Sequence, residues 1–144
     1  MKGLIKIEYK KKLLGFIIKS SFKKEGIEFL TPYVFSQQLA FMRRPKGYVI
    51  TPHKHLLLLR KIRDTQETLF IRKGKVRIDF YWNNRHYLES RIVQKGDVVF
   101  LASGGHGFEC IKDSEIIEVK QGPFSIKTQP KRLKCIAKNK LRMK

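Results

Sequence analysis

Cysteine is scarce in this sequence: Cys110 and Cys135 are the only two among 144 residues. They cannot build a disulfide framework, and no CxxC pair is present to form a zinc ribbon or a thiol redox site. Both are read as reduced thiols. Long apolar runs are missing as well, since no stretch approaches the roughly 18 apolar residues that a membrane helix needs. The run Leu13 to Ile18 behind Lys10, Lys11 and Lys12 has only six residues, and no small-residue cleavage site follows it. These absences predict a soluble, cytoplasmic chain with no membrane span. No P-loop, GxGxxG fingerprint or GxSxG elbow occurs, and Ser103 lacks the surroundings of a nucleophile. Acidic residues are few, 12 against 32 basic, which leaves a net charge of +20.

What is present is enough for a core. A hydrophobic fraction of 42%, with ten Phe, five Tyr and one Trp, excludes wholesale disorder, and the length suits one compact domain. The charge is unevenly placed. Residues 1–24 carry +7 and residues 126–144 carry +8, while the middle is nearly balanced. The excess therefore describes the two ends. A nucleic-acid binder is the reading that net charge alone favours, but the lysines are scattered and no aromatic-interleaved recognition motif accompanies them. Nucleic acid is accordingly not the expected partner.

Short apolar runs punctuated by Gly, Pro, Asn and Asp dominate the chain. Strands are expected over residues 4–9, 13–20, 26–30, 35–43, 49–60, 67–72, 76–81, 87–93, 97–101, 106–111 and 115–120. Period-two alternation is clearest where Val76, Ile78, Phe80 and Trp82 share one face and Arg77, Asp79 and Tyr81 the other. Turns are expected at Lys73-Gly74-Lys75, Asn83-Asn84, Lys95-Gly96-Asp97 and Lys112-Asp113-Ser114. Such short, regularly spaced strands predict an antiparallel barrel or a two-sheet jelly roll. Pro32 to Met42 fits either a helical or a strand period, and the tail from Arg132 is compatible with a short basic helix. The chain reads as N-terminal strands (1–34), a barrel (35–123) and a basic C-terminal extension (124–144).

Three of the four histidines have suggestive neighbours. His53 and His55, one residue apart, project from the same face of an extended chain about 7 Å apart along the backbone, which is chelate spacing. Glu67 shares its strand face with Leu69 and Ile71, so its carboxylate points toward the core, where it needs a compensating partner. His106 lies in Ser103-Gly104-Gly105-His106-Gly107-Phe108, where glycines let the backbone bend closely. Three imidazoles and one carboxylate suit Fe, Mn, Ni, Co or Zn. Glu109 is the alternative carboxylate. Arg60, Gln66 and Gln121 are candidates for binding a polar or anionic substrate, whereas Tyr81 and Trp82 read as core. His86, beside the turn at 83–85, is expected to be exposed.

These residues carry a family resemblance: the chain resembles a cupin. Gly47, five residues, then His53 and His55 match the first half of one cupin motif, and Glu67, six residues, then Gly74 match its second half. Gly96 and Gly104 match the second motif, with Ala102 in place of its Pro, His106 one residue early and its Asn absent. The resemblance covers about residues 40–120 and implies an all-β, cupin-type antiparallel jelly-roll barrel. It also implies one divalent transition metal held by His53, His55, Glu67 and His106, a small polar ligand, and a homodimer, with N-terminal strands exchanged as one arrangement. Small bacterial cupins act in carbohydrate and surface-polysaccharide pathways, and the family includes isomerases, epimerases and dioxygenases. A non-catalytic binding or sensor cupin is the other function consistent with the same residues.

Overall fold

A computed structural model describes residues 1–82, 86–123 and 131–144. The expected turn at Asn83-Asn84 and the start of the C-terminal segment lie outside the described residues. The fold is all-β, with no α-helix among the described residues, and the chain divides into two compact units. One contains residues 1–22 and 65–144, the other residues 23–64.

The larger unit is a six-stranded antiparallel sheet curled into a half-barrel. Its first strands, β1 (Leu4–Tyr9) and β2 (Lys12–Ile18), form a hairpin in which Tyr9 pairs with Lys12. The two turn residues, Lys10 and Lys11, have φ of 49° and 62°. Positive φ at both central positions matches the right-handed twist of flanking strands, but it is a conformation that side chains resist. β2 is next joined by β7 (Val98–Leu101), so the N-terminal strands are part of the sheet itself.

The scaffold of this unit is a pair of long strands, β5 (Glu67–Tyr81) and β8 (Gly105–Lys120), hydrogen-bonded along their whole lengths. Sequence reading places turns at residues 73–75 and 112–114 and divides each strand in two. Instead both strands run through, and those residues face each other in a bulged bend with register shifts between Ile71 and Val76. Gly74 explains why the chain bends without reversing. Its φ is 89°, and a Cβ there would stand 2.2 Å from the Asp113 carbonyl oxygen. Ser114 fastens the bend, its Oγ accepting from the Lys75 amide at 3.2 Å and donating to the Lys112 carbonyl at 2.6 Å.

The bend changes the neighbours of β5. Residues 67–70 pair with β7, and residues 75–81 pair with β6 (Tyr87–Gln94). It also changes which face is buried, because a bulge shifts the pleat by one residue. Leu69 and Ile71 supply the core before it, and Val76, Ile78 and Phe80 after it. With Ile7, Leu14, Ile17, Val93, Val99 and Leu101 they form one apolar cluster, against which Trp82 packs, as the alternation predicts. Each such fully buried side chain contributes about 1.5–3 kcal/mol of transfer free energy.

The turn at Lys95-Gly96-Asp97 is as expected and links β6 to β7. Asp97 is fully buried and satisfied. Its carboxylate accepts from the amides of Ser20 at 2.9 Å and Gln94 at 3.0 Å and pairs with Lys19. Behind β5, Arg77 binds Asp79 through two nitrogens, at 2.8 and 3.0 Å, and Glu109 at 2.6 Å.

The C-terminal residues are held against this unit. Met143 bridges Ser90 on β6, the Ser90 amide donates to the Arg142 carbonyl at 2.8 Å, and Lys144 pairs with Glu89. The basic helix expected from Arg132 is reduced to one 3-10 turn at Lys138–Lys140. Pairing along the edge of β6 satisfies the last residues' backbone in extended form, so the helix has nothing to gain.

The smaller unit is the hairpin of β3 (Gly26–Phe29) and β4 (Ala40–Arg43) followed by a segment without paired strands. Between the strands, Gln38 donates through its amide to the carbonyls of Pro32 at 3.0 Å and Phe35 at 2.9 Å, and Thr31 accepts from the Leu39 amide at 3.0 Å. This local bonding decides the ambiguous stretch 32–42 in favour of a loop and a short strand. The strand expected over 49–60 does not form in the single chain; no residue from Arg44 to Gln66 is strand. A strand needs a bonding partner, and none pairs with this segment.

Candidate functional site

Glu67 opens β5 between Leu101 of β7 and Lys120 of β8, and its parity aims it inward with Leu69 and Ile71. His106 is near the start of β8, opposite Phe80 at the far end of β5. The bend in the β5/β8 ribbon brings these two ends together, and His106 Nε2 stands 3.1 Å from Glu67 Oε2. The approach depends on Gly104, whose φ is 76° and where a Cβ would come within 2.5 Å of the Tyr81 carbonyl oxygen. Only a residue without a side chain lets β8 start so close to the end of β5.

The Glu67 side chain is 12% exposed and that of His106 28%. The hydrogen bond from His106 holds the Glu67 carboxyl below its usual range, burial opposes this, and the charges of His106 and Lys120 reinforce it. Glu67 is thus an anion at neutral pH. Lys120 Nζ lies 4.0 Å from its second oxygen and 2.7 Å from Glu118, whose hydrogen bond raises the lysine's pKa above its usual value. The imidazole of His106 also meets the ring of Phe108 at 5.2 Å. A carboxylate fixed on an imidazole is a proton-handling pair, and the same two atoms are an oxygen and a nitrogen donor for a cation.

Gln66 precedes Glu67 and Gln121 follows Lys120, and the Gln121 side-chain oxygen accepts from the Gln66 backbone amide at 2.7 Å. Two of the three candidate substrate-binding residues are therefore brought together beside Glu67. Arg60 lies in the other unit, exposed, with its guanidinium 3.5 Å from the Leu58 carbonyl. His53 and His55 are there too, both exposed, with ring centroids 5.3 Å apart, and His53 Nδ1 is 2.9 Å from the Thr51 carbonyl oxygen. The same-face placement that HxH spacing predicts is thus present even without a strand.

The four candidate ligands fall into two pairs, an imidazole pair in one unit and a carboxylate–imidazole pair in the other. Among the described residues no three of His, Cys, Asp and Glu gather as a group that could hold a metal ion. Glu109, the alternative carboxylate, is bound to Arg77 instead. His86 is exposed, as expected, with its ring 5.5 Å from that of Tyr9.

Sequence reasoning missed Lys120, which neutralises Glu67, and its signal was weak: one lysine at the end of a strand in a lysine-rich chain. It also missed the buried Asp97, which a turn motif conceals among ordinary exposed turn aspartates. No helix among the described residues is long and apolar enough to cross a membrane. Compared with known proteins, the chain matches no family model, no curated protein and no solved structure.

Proposed function

We propose that this chain is a small-molecule-binding protein of the cupin type, a jelly-roll barrel whose site is centred on Glu67 and His106. The observation that carries the reading is the 3.1 Å contact between these two side chains. They come from separate motifs, and the tertiary fold joins them. The glycines of those motifs support it further: Gly47, Gly74, Gly96 and Gly104 all have positive φ, the conformation that favours glycine over every other residue.

In this reading Glu67 and His106 would supply an oxygen and a nitrogen donor to one divalent transition metal of the Fe, Mn, Ni, Co or Zn group, and the cupin resemblance adds His53 and His55 as two further nitrogens. When bound, such a metal polarises a carbonyl or hydroxyl oxygen of the ligand. The chain's own residues do the rest. Gln66 and Gln121 present polar groups beside the donors, and Lys120, held between Glu67 and Glu118, balances their charge. The ligand class is therefore a small polar metabolite carrying hydroxyl or carbonyl oxygens, with sugars and nucleotide-sugars as the first to test.

The test is metal content of protein purified without chelator. Close to one transition metal per chain is expected for wild type, and far less for His53→Ala and for Glu67→Gln. Equal and negligible metal in all three refutes the ligand set. With metal present, a thermal-shift screen of sugars, nucleotide-sugars and small acids then identifies the ligand, since binding to the native state alone raises the melting temperature. Turnover of that ligand separates an enzyme from a sensor.

A further inference from the structure

A β-sheet has edges, and an edge presents unpaired N–H and C=O groups to any chain that can bond them. In the larger unit β1 is a short edge, six residues with Lys6 and Glu8 along it, and the edge of β6 is met by Met143. The outer edge of β8 is different. This strand is 16 residues long, and among the described residues only β5 pairs with it. Phe108, Ile111, Ile117 and Val119 on it are all more than two-fifths exposed.

The smaller unit holds the complementary feature. From His53 to Arg63 the chain is unpaired with any strand, and the four leucines within it lie open, Leu57 at 102% and Leu59 at 99% of full exposure. Four successive leucines suit a strand covered on both faces and are costly to leave in water. Lengths are compatible: each arm of the bent β8, residues 105–111 and 115–120, offers about 20–23 Å of straight edge, enough for six or seven of the eleven residues of the segment. Charges agree as well. β8 carries Glu109, Asp113, Glu115 and Glu118 against Lys112 and Lys120, an acidic strand in a chain of net charge +20. The segment 53–63 carries Lys54, Arg60, Lys61 and Arg63 and no acid. Pro52, which cannot donate a ladder hydrogen bond, stands just before it, at the position where a strand tolerates proline.

We infer that residues 53–63 of one copy add as a strand to the outer edge of β8 of a second copy, so that two chains exchange these segments and form a dimer. The two joints are equivalent, as a two-fold assembly requires. Backbone hydrogen bonds provide the attachment, the leucines are buried, and the opposite charges fix the pairing. This interface stands on edge geometry, exposure and charge; because His53 and His55 lie on the exchanged segment, the ligand set proposed above takes them from the partner copy.

Light scattering on the full chain at tens of micromolar tests it. The expected mass is twice the 17.0 kDa of one chain. Leu57→Asp with Leu59→Asp, at positions already exposed, is expected to give a monomer with an unchanged circular dichroism spectrum. Asp113→Lys with Glu115→Lys on β8 is expected to weaken the dimer at least tenfold, and mixing the two variants to restore a dimer fraction through the one intact joint. A monomeric wild type overturns the inference, including the case in which β8 amides of that monomer resist hydrogen exchange because the segment lies on its own chain's edge. A dimer indifferent to both pairs of substitutions overturns it equally.

Discussion

Replacing Glu67 by glutamine keeps the size and one acceptor oxygen but removes the charge. The contact at stake is the 3.1 Å hydrogen bond from His106, made by side chains that are 12% and 28% exposed. A hydrogen bond to a charged group contributes about 1.5–3 kcal/mol, and one between neutral groups about 0.5–1.5. The substitution therefore costs about 1–1.5 kcal/mol at pH 7, which for a chain of this size lowers the melting temperature by about 3–5 °C. Dependence on pH gives the reasoning its sharper edge. The folded-state pKa of Glu67 lies below its usual value of 4.5, because His106 favours the anion. A depressed carboxylate stabilises the fold at pH values above the unfolded pKa, and that contribution is lost as pH falls through the folded pKa. Urea unfolding of both proteins at a series of pH values from 7 down to 3 should show the full gap at neutrality and a progressive narrowing below about 4.5. A gap that stays constant over that range, or none at pH 7, would refute the assignment of an ionised, His106-bonded Glu67.

Two further predictions concern the frame that holds this pair. Lys10→Asn with Lys11→Gly places in the β1–β2 turn residues that tolerate positive φ, and should raise the urea midpoint by the equivalent of about 1 kcal/mol; an unchanged midpoint would show that the lysines bear no cost there. Gly74→Ala puts a methyl group 2.2 Å from the Asp113 oxygen at a φ of 89°, so stability should fall by about 1–3 kcal/mol, measured by the same unfolding curves. Because the bend joins the two ends of the β5/β8 ribbon, the histidine NMR signals of that variant should show His106 displaced, and an unshifted His106 would contradict the link.

Much of the secondary structure was legible along the chain. Periodicity placed β1, β2, β6 and β7, and the alternation of Val76, Ile78 and Phe80 named a core face, because burial on one side of a pleat is written directly into residue type. The site was half legible. Glu67 and His106 could be picked as an inward carboxylate and a glycine-flanked imidazole, but their meeting depends on a ribbon that bends at Gly74.

Local sequence alone fixes strand propensity, the pleat face and the left-handed glycine positions, since each depends on a residue and its immediate neighbours. Tertiary structure alone decides whether Lys73-Gly74-Lys75 reverses the chain or bends it, because the same residues serve a turn and a bulge and the opposing Ser114 settles which. It alone also decides that residues 49–60, strand-like in every local respect, stay unpaired in the single chain. A strand exists only through hydrogen bonds to another, and the partner is not encoded in the segment itself.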